Sequence, residues 1–235
     1  MSKKRAIAAF VINILIFLST FGVVISYYCG NDGAFHISPH LRYCLFTTDS
    51  NIFCALTSII AAAFEWQIIT GKKERLPVTA AALKYAGTVA VSLTFCVVAF
   101  FLGPMDDIVS WMLGGTSVYM HTLGPLLAII SFLFLENGVI LPKKLIPVGV
   151  MSMLIYGIVY LTRVVFIGEN NGGWIDFYHF NIGGFWYISF LAVLAVTLLI
   201  ASAERLIYNK LSRKLLSADN KAAMSETESN RNCRK

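Results

Sequence analysis

The chain has 235 residues, 57% of them hydrophobic and only 14% charged, with a mean hydropathy of +0.70. Soluble domains carry about a quarter charged residues, so this composition argues against a soluble globular protein and for a membrane one. The net charge of +6 is scattered over several loops and a tail, which reads as a topology signal and not as a nucleic-acid surface.

A span needs about 20 apolar residues at 1.5 Å rise each to cross roughly 30 Å of hydrocarbon. Six stretches meet that requirement, near 6–28, 46–69, 79–102, 118–136, 145–167 and 184–204. The first follows Lys3, Lys4 and Arg5 and ends in bulky Tyr27-Tyr28. It is too long for a signal peptide and lacks a small-residue cleavage site, so an uncleaved span is expected. Cys29, Arg42 and Cys44 fall in the first loop. A disulfide between the two cysteines and a pair of free thiols both fit, with free thiols the simpler reading. The second stretch opens with Phe46-Thr47-Thr48-Asp49-Ser50-Asn51, and Lys72, Lys73 and Arg75 follow it. Gly103-Pro104 ends the third, His121 stands about one turn inside the fourth, and Lys143 and Lys144 precede the fifth. Arg163 closes the fifth, Tyr178, His179 and Asn181 precede the sixth, and Arg205, Lys210, Arg213 and Lys214 follow it.

Lys and Arg thus concentrate in alternate connections, and the positive-inside rule places both termini in the cytoplasm. The expected fold is all-α: a polytopic bundle of six transmembrane helices over 1–204, in the cell membrane, or in the endoplasmic reticulum membrane if the source is eukaryotic. A basic helical extension follows over 205–216, along the anionic inner surface. From 217 to 235 the chain is polar, without an apolar period, and is expected to be disordered. No Cys-x-x-Cys pair or Gly-rich phosphate loop occurs, so neither a structural metal nor a nucleotide cofactor is expected. Glu65 and Lys84 lie near the inner ends of their spans and are expected to pair with each other. Mid-depth carboxylates look too few for a proton path.

With alternating spans, the strongest polar side chains collect near one membrane face. Polar groups at that depth are costly unless they pair or work, so the cluster is a site hypothesis. Thr47, Ser50 and Asn51 are spaced i, i+3, i+4 and share one helix face. Asp49 points elsewhere, as a cap for the first turn. The same letters are also common helix-start residues, and His121 is equally readable as a packing residue. A Thr hydroxyl is a weak nucleophile that needs a base, and His is the side chain suited to that work. Arg163 offers an oxyanion or carboxylate partner, or else snorkels to the interface.

These residues resemble a family. Phe46-Thr47-Thr48-Asp49-Ser50-Asn51 is similar to the Phe-Thr-x-x-Ser-Asn opening of the second span in a group of bacterial six-helix membrane proteins of unassigned activity. His121-Thr122-Leu123-Gly124-Pro125-Leu126 resembles their His-x-x-x-Pro-Leu segment, and Tyr178-His179-Phe180 their Tyr-Pro-Phe. More loosely, the three landmarks resemble the eukaryotic androgen-induced-gene family, membrane threonine hydrolases that cleave fatty acid esters of hydroxy fatty acids. That resemblance implies Thr47 as nucleophile and His121 as its base, with no metal or cofactor. The chain departs from the pattern at His179, where the family has Pro, at Asn181, where an acidic residue is usual, and at Thr48, a second hydroxyl.

Two functions are therefore carried forward. One is an intramembrane hydrolase of acyl ester lipids, with Thr47 and His121 catalytic and Ser50, Asn51, Arg163, Tyr178, His179 and Asn181 binding substrate or oxyanion. The other is a non-enzymatic binding, transporter-like or scaffold protein with a polar lock in its bundle. The partners expected are membrane lipids, and no nucleic acid.

Overall fold

The computed structural model of the chain describes residues 1–29 and 39–232, with side chains through Ala218 apart from Pro39 and His40. Among the described residues there is no strand. Six helices are long and apolar enough to cross a membrane: Lys3–Tyr28, Phe46–Ile69, Val78–Met105, Val118–Leu135, Lys143–Ile167 and Trp186–Ala218. They are called the first to sixth spans. Two short helices, Pro39–Arg42 and Ile108–Leu113, lie between spans. The chain is thus an all-α polytopic bundle.

The third span is the axis of the bundle. It packs against the second, fourth, fifth and sixth, while the first lies against the second and fourth. Every residue from Ala80 to Thr94 except Leu83 is buried. Small residues permit this, because in lipid helices associate by close packing and not by hydrophobic exclusion. Gly87 is the tightest point: a Cβ there would overlap Thr57 Oγ1 of the second span. Gly149 of the fifth span makes room for Tyr85 in the same way, since a Cβ would lie 2.8 Å from the ring. The Tyr85 hydroxyl then donates to the Ala201 carbonyl of the sixth span at 2.8 Å.

The N-terminus and the basic end of the sixth span lie on one face, where Met1 and Ser2 share a cavity with Leu215 and Leu216, as an even number of spans requires. The Met1 amine donates to the Glu74 carbonyl at 2.8 Å, and Arg5 Nη2 donates to the carbonyls of Phe134 and Leu135, each at 3.0 Å. The sixth span continues as one helix, Trp186–Asn232. At 1.5 Å per residue its 47 residues run about 70 Å, over twice the hydrocarbon thickness. Its backbone stays helical through 217–232, a stretch whose Ala, Lys, Glu and Met residues favour helix even without an apolar stripe. Cys29 is exposed, Cys44 buried, and both are free thiols, as is Cys54 in the second span.

Four stretches of these spans are wound more widely than an α-helix, with i→i+5 hydrogen bonds: Val98–Leu102, Val118–Leu123, Ser131–Leu135 and Thr162–Ile167. Two of them precede Pro104 and Pro125. A proline lacks an N–H and its ring crowds the carbonyl four residues back, so a wide turn removes the clash without breaking the helix. The Gly103 and Gly124 amides close these turns onto the carbonyls of Val98 and Tyr119.

Two outcomes test the fold. Single cysteines replacing Ser217 and Glu169, in a Cys-less chain in sealed vesicles, are expected to react with an impermeant maleimide from opposite sides; reaction from one side rejects the alternation. Gly87→Val forces the second and third spans apart and is expected to cost about 1–3 kcal/mol, read as a lower unfolding midpoint in detergent.

Candidate functional site

The site lies at the face opposite the termini, where the second span begins. Thr47 and His121 line one cavity of about 100 Å³, together with Tyr27, Arg42, Thr48, Trp111, Ser117 and Tyr178. Its position follows from helix ends. Phe46 starts the second span, so its N–H has no partner within the helix. The Tyr178 hydroxyl, from the connection before the sixth span, accepts that N–H at 2.9 Å. The same hydroxyl is bonded with Thr47. Burial pushes the Tyr178 hydroxyl up to about 12, against the opposing effect of its bonds to Phe46 and Thr47. It therefore stays a neutral donor–acceptor.

A second set of helix-end groups holds His121. The short helix Ile108–Leu113 is capped by Asp107, whose carboxylate accepts from the Val109 N–H at 3.0 Å and the Ser110 hydroxyl at 2.6 Å. Those bonds, the Ser110 one foremost, hold the Asp107 carboxyl below its ordinary range. At the other end, the carbonyls of Trp111 and Met112 have no helical acceptor role left to fill. His121 Nδ1 meets the Trp111 carbonyl at 2.7 Å, and Thr122 Oγ1 donates to the Met112 carbonyl at 2.7 Å. A carbonyl can only accept, so Nδ1 carries the proton. In the neutral ring that leaves Nε2 as the basic nitrogen. The Trp111 and His121 rings lie 5.9 Å apart and close that side of the cavity.

Asn51 fixes the spacing between the two halves. Its Nδ2 donates to the Thr47 carbonyl at 2.8 Å and to the Met120 carbonyl at 2.9 Å. One buried amide thus ties the residue bearing the hydroxyl to the neighbour of the histidine. Ser50 also works behind the cavity, with its hydroxyl 3.1 Å from the Thr47 carbonyl and 2.8 Å from Thr94 Oγ1 of the third span. Neither Ser50 nor Asn51 lines the cavity. The spacing Thr-x-x-Ser-Asn thus brings the Ser50 and Asn51 side chains back onto the Thr47 carbonyl.

The remaining expected residues divide. Tyr178 reaches the cavity. Arg163 is exposed, with its guanidinium 6.0 Å from the centre of the Trp174 ring, and His179 and Asn181, which follow Tyr178 in the chain, are exposed as well. None of these three lines the cavity. His179 adopts φ 52°, a left-handed backbone, in a turn where the Asp176 carboxylate accepts the N–H groups of Phe180 and Asn181 at 2.9 and 2.8 Å. Asp49 is exposed in the first helical turn, where an acidic side chain meets the positive end of the helix dipole.

Arg42 was not expected here. It is 6% exposed, and its guanidinium stacks 4.3 Å from the centre of the Tyr27 ring at the cavity wall. A signal existed: Arg42 stands alone among Lys and Arg in the loop between the first and second spans, next to an otherwise apolar and aromatic stretch.

An apolar cavity of about 50 Å³ adjoins the first. It is lined by Leu93, Val97, Met153, Phe180 and Val193, and it shares Thr47, Leu102 and Tyr178 with the polar one. Thr47 thus stands at the seam between polar and apolar space. Among the described residues no group of three or more His, Cys, Asp or Glu is arranged to hold a metal ion.

No family model, curated protein or solved structure matches this chain.

The two roles of His121 separate in mutants. An Asn side chain keeps a donor near the Nδ1 position, so His121→Asn is expected to unfold within about 1 kcal/mol of the natural chain. His121→Leu removes the hydrogen bond to the Trp111 carbonyl and is expected to cost about 1–3 kcal/mol, both read by thermal unfolding in detergent.

Proposed function

We propose that this protein is a membrane hydrolase of acyl ester lipids, with Thr47 as nucleophile and His121 as general base. The observation that carries the reading is the convergence of the Thr47 and His121 side chains on one cavity, with the Trp111 carbonyl occupying His121 Nδ1. That bond holds the imidazole in the tautomer a base needs. The resemblance of the Phe-Thr-x-x-Ser-Asn and His-x-x-x-Pro-Leu segments to threonine hydrolases supports the same pair.

The reaction follows ordinary acyl transfer. Thr47 Oγ1 adds to the ester carbonyl carbon and its proton passes to His121 Nε2. The C–O bond to the alcohol breaks, and the leaving alkoxide takes the proton from Nε2. Water then attacks the acyl-threonine carbonyl, again losing its proton to Nε2, and the fatty acid departs as Thr47 regains its hydrogen. Each tetrahedral intermediate puts negative charge on the former carbonyl oxygen. The Arg42 guanidinium and the Tyr178 hydroxyl, both on the cavity wall, are the donors available to it. The adjoining apolar cavity accepts the first carbons of the acyl chain, and the rest of the chain lies along the lipid-facing surface. A site at the seam of polar and apolar space suits a substrate with both characters.

The orientation belongs to the same proposal. Lys3, Lys4, Arg5, Lys72, Lys73, Lys143, Lys144 and the basic stretch after the sixth span share the face of the termini. That face is cytoplasmic in the cell membrane, and the cavity opens on the outer side.

The test is turnover by purified protein in mixed micelles, on a panel of long-chain acyl esters, with fluorophosphonate labelling in parallel. Thr47→Val keeps the shape and removes the hydroxyl; His121→Asn keeps the bond to Trp111 and removes the base. Each is expected to lower kcat/KM at least a hundredfold. The double variant is expected to be no worse, because paired catalytic groups act as a unit. Thr47→Ser is expected to retain turnover. A natural chain that hydrolyses no ester and takes no label rejects the hydrolase and leaves a binding or structural cluster.

A further inference from the structure

A second polar cluster is buried in the half of the bundle nearer the termini, and the hydrolase chemistry does not use it. Asn13 of the first span, Glu65 and Ser58 of the second, Lys84 of the third, and Ser131 and Glu136 of the fourth are each at most 2% exposed. Asn13 Nδ2 donates to both oxygens of Glu65, at 3.0 and 3.1 Å, and to Glu136 Oε1 at 3.0 Å. Lys84 Nζ donates to Asn13 Oδ1 and to Ser58 Oγ, both at 2.6 Å, and stands 3.9 Å from Glu136 Oε1. The Ser131 hydroxyl donates to Glu136 Oε1 at 2.6 Å. Glu136 Oε2 is buried and has no hydrogen-bond partner among the described residues.

Two features of this arrangement point to a bound proton. The first is charge. One hydrogen-bonded group contains two carboxyls and one ammonium, held by a single amide that bridges both carboxyls. Fully ionised, it would bury one uncompensated negative charge, which costs far more than a neutral acid at the same depth. The second is Glu136 Oε2, a buried oxygen with nothing to accept from. A carboxylate oxygen in that position is stranded, whereas a carboxylic acid is neutral. A metal cation is disfavoured because the Lys84 ammonium already sits among the oxygen ligands.

The surroundings supply other titratable and charged groups. Cys54 of the second span and Tyr208 of the sixth are within electrostatic reach of Glu136, and the Tyr208 hydroxyl donates to the Glu136 carbonyl at 3.3 Å. Glu204 of the sixth span accepts from the Ser92 hydroxyl at 2.5 Å, with Arg205 next to it and Tyr85 nearby. Arg5 binds the side chain of Asn137, the residue after Glu136. Arg5 and Asn137 line a surface cavity of about 130 Å³ with Met1, Ser2, Arg75 and Leu215. That cavity brings the face of the termini to within one residue of Glu136 along the chain.

We propose that Glu65, Glu136, Lys84 and Asn13 form a proton-binding site, in which the two carboxyls share one proton exchangeable with the face of the termini. The bound proton leaves one negative charge opposite one ammonium, so the cluster is neutral. Removing either carboxyl leaves the other ionised beside Lys84, and the proton is lost with it.

The test is infrared spectroscopy of the full chain in lipid bilayers, reading the carbonyl stretch of protonated carboxylic acids, which shifts in D2O. Spectra of Glu65→Gln and Glu136→Gln are each subtracted from that of the natural chain, so that Glu204 cancels. Each subtraction is expected to show the same band with the same area. No band in either subtraction means both carboxyls are ionised and overturns the proposal. A band in one subtraction alone means an isolated acid and also overturns it. Should either variant fail to fold by gel filtration, Glu204→Gln decides: it is expected to keep a deuterium-sensitive band that raising the pH removes in one step, and a Glu204→Gln spectrum with no such band rejects the site.

Discussion

Inside a bilayer no water is available to a stranded polar group, and this one constraint organises the whole molecule. Every hydroxyl, amide and carboxyl at depth has to find its partner in the protein. The bundle meets much of that demand with two compact sets of polar groups, one nearer the termini and one nearer the opposite face. In the set opposite the termini, helix-end groups are the organisers: the Phe46 N–H and the Trp111 and Met112 carbonyls find their partners in Tyr178, His121 and Thr122. In the set nearer the termini a single amide, Asn13, bridges two carboxyls and accepts from Lys84. The same residue type ties the opposite set together, where Asn51 bridges two carbonyls from different spans. A primary amide suits both tasks because it offers two donors and an acceptor in one plane without carrying charge.

The third span makes both sets reachable. Its run of Ala and Gly lets the second, fourth and fifth spans approach its backbone. Lys84 near one end of this span and Thr94 near the other then reach Asn13 and Ser50 across short gaps. With larger residues along the third span, neither hydrogen bond would close. The axis therefore sets the geometry of both clusters while contributing few polar groups itself.

The spans themselves were legible in the sequence, because length and apolar composition determine what can cross a membrane. Depth was legible as well: Thr47, His121 and Tyr178 were expected at one level and do meet in one cavity. Direction around each helix was not. Arg163 shares their depth yet lies outside the cavity, on the Trp174 side. Glu65 and Lys84 were expected to pair directly, and each instead bonds Asn13, with Lys84 nearer Glu136. Asn13 was overlooked as one polar letter in a long apolar run, and Glu136 was read as the end of a span.

The wide turns explain why direction was lost. A helical wheel assumes about 100° per residue throughout, and each wide turn inserts one residue and rotates everything after it by about that angle. The fourth span contains two such turns, over Val118–Leu123 and Ser131–Leu135, with only Gly124–Ile130 between them. His121 sits within the first and Glu136 directly follows the second. In an uninterrupted α-helix, 15 residues apart would place these side chains at a relative angle of about 60°, since 15 × 100° exceeds four full turns by that amount. The extra rotation of the second turn changes that relation, so that His121 faces Trp111 and the cavity it lines with Thr47 while Glu136 faces Asn13 and Lys84. Pro125 gives a local reason for the first turn, by excluding the regular hydrogen bond to His121. The second has no proline, and its closing bond, from the Glu136 N–H to the Ser131 carbonyl at 3.0 Å, lies beside the bond from the Ser131 hydroxyl to the Glu136 carboxyl at 2.6 Å. Ser131 thus holds Glu136 twice, through backbone and side chain, and the widened turn is what brings its hydroxyl and that carboxyl to the same side of the helix.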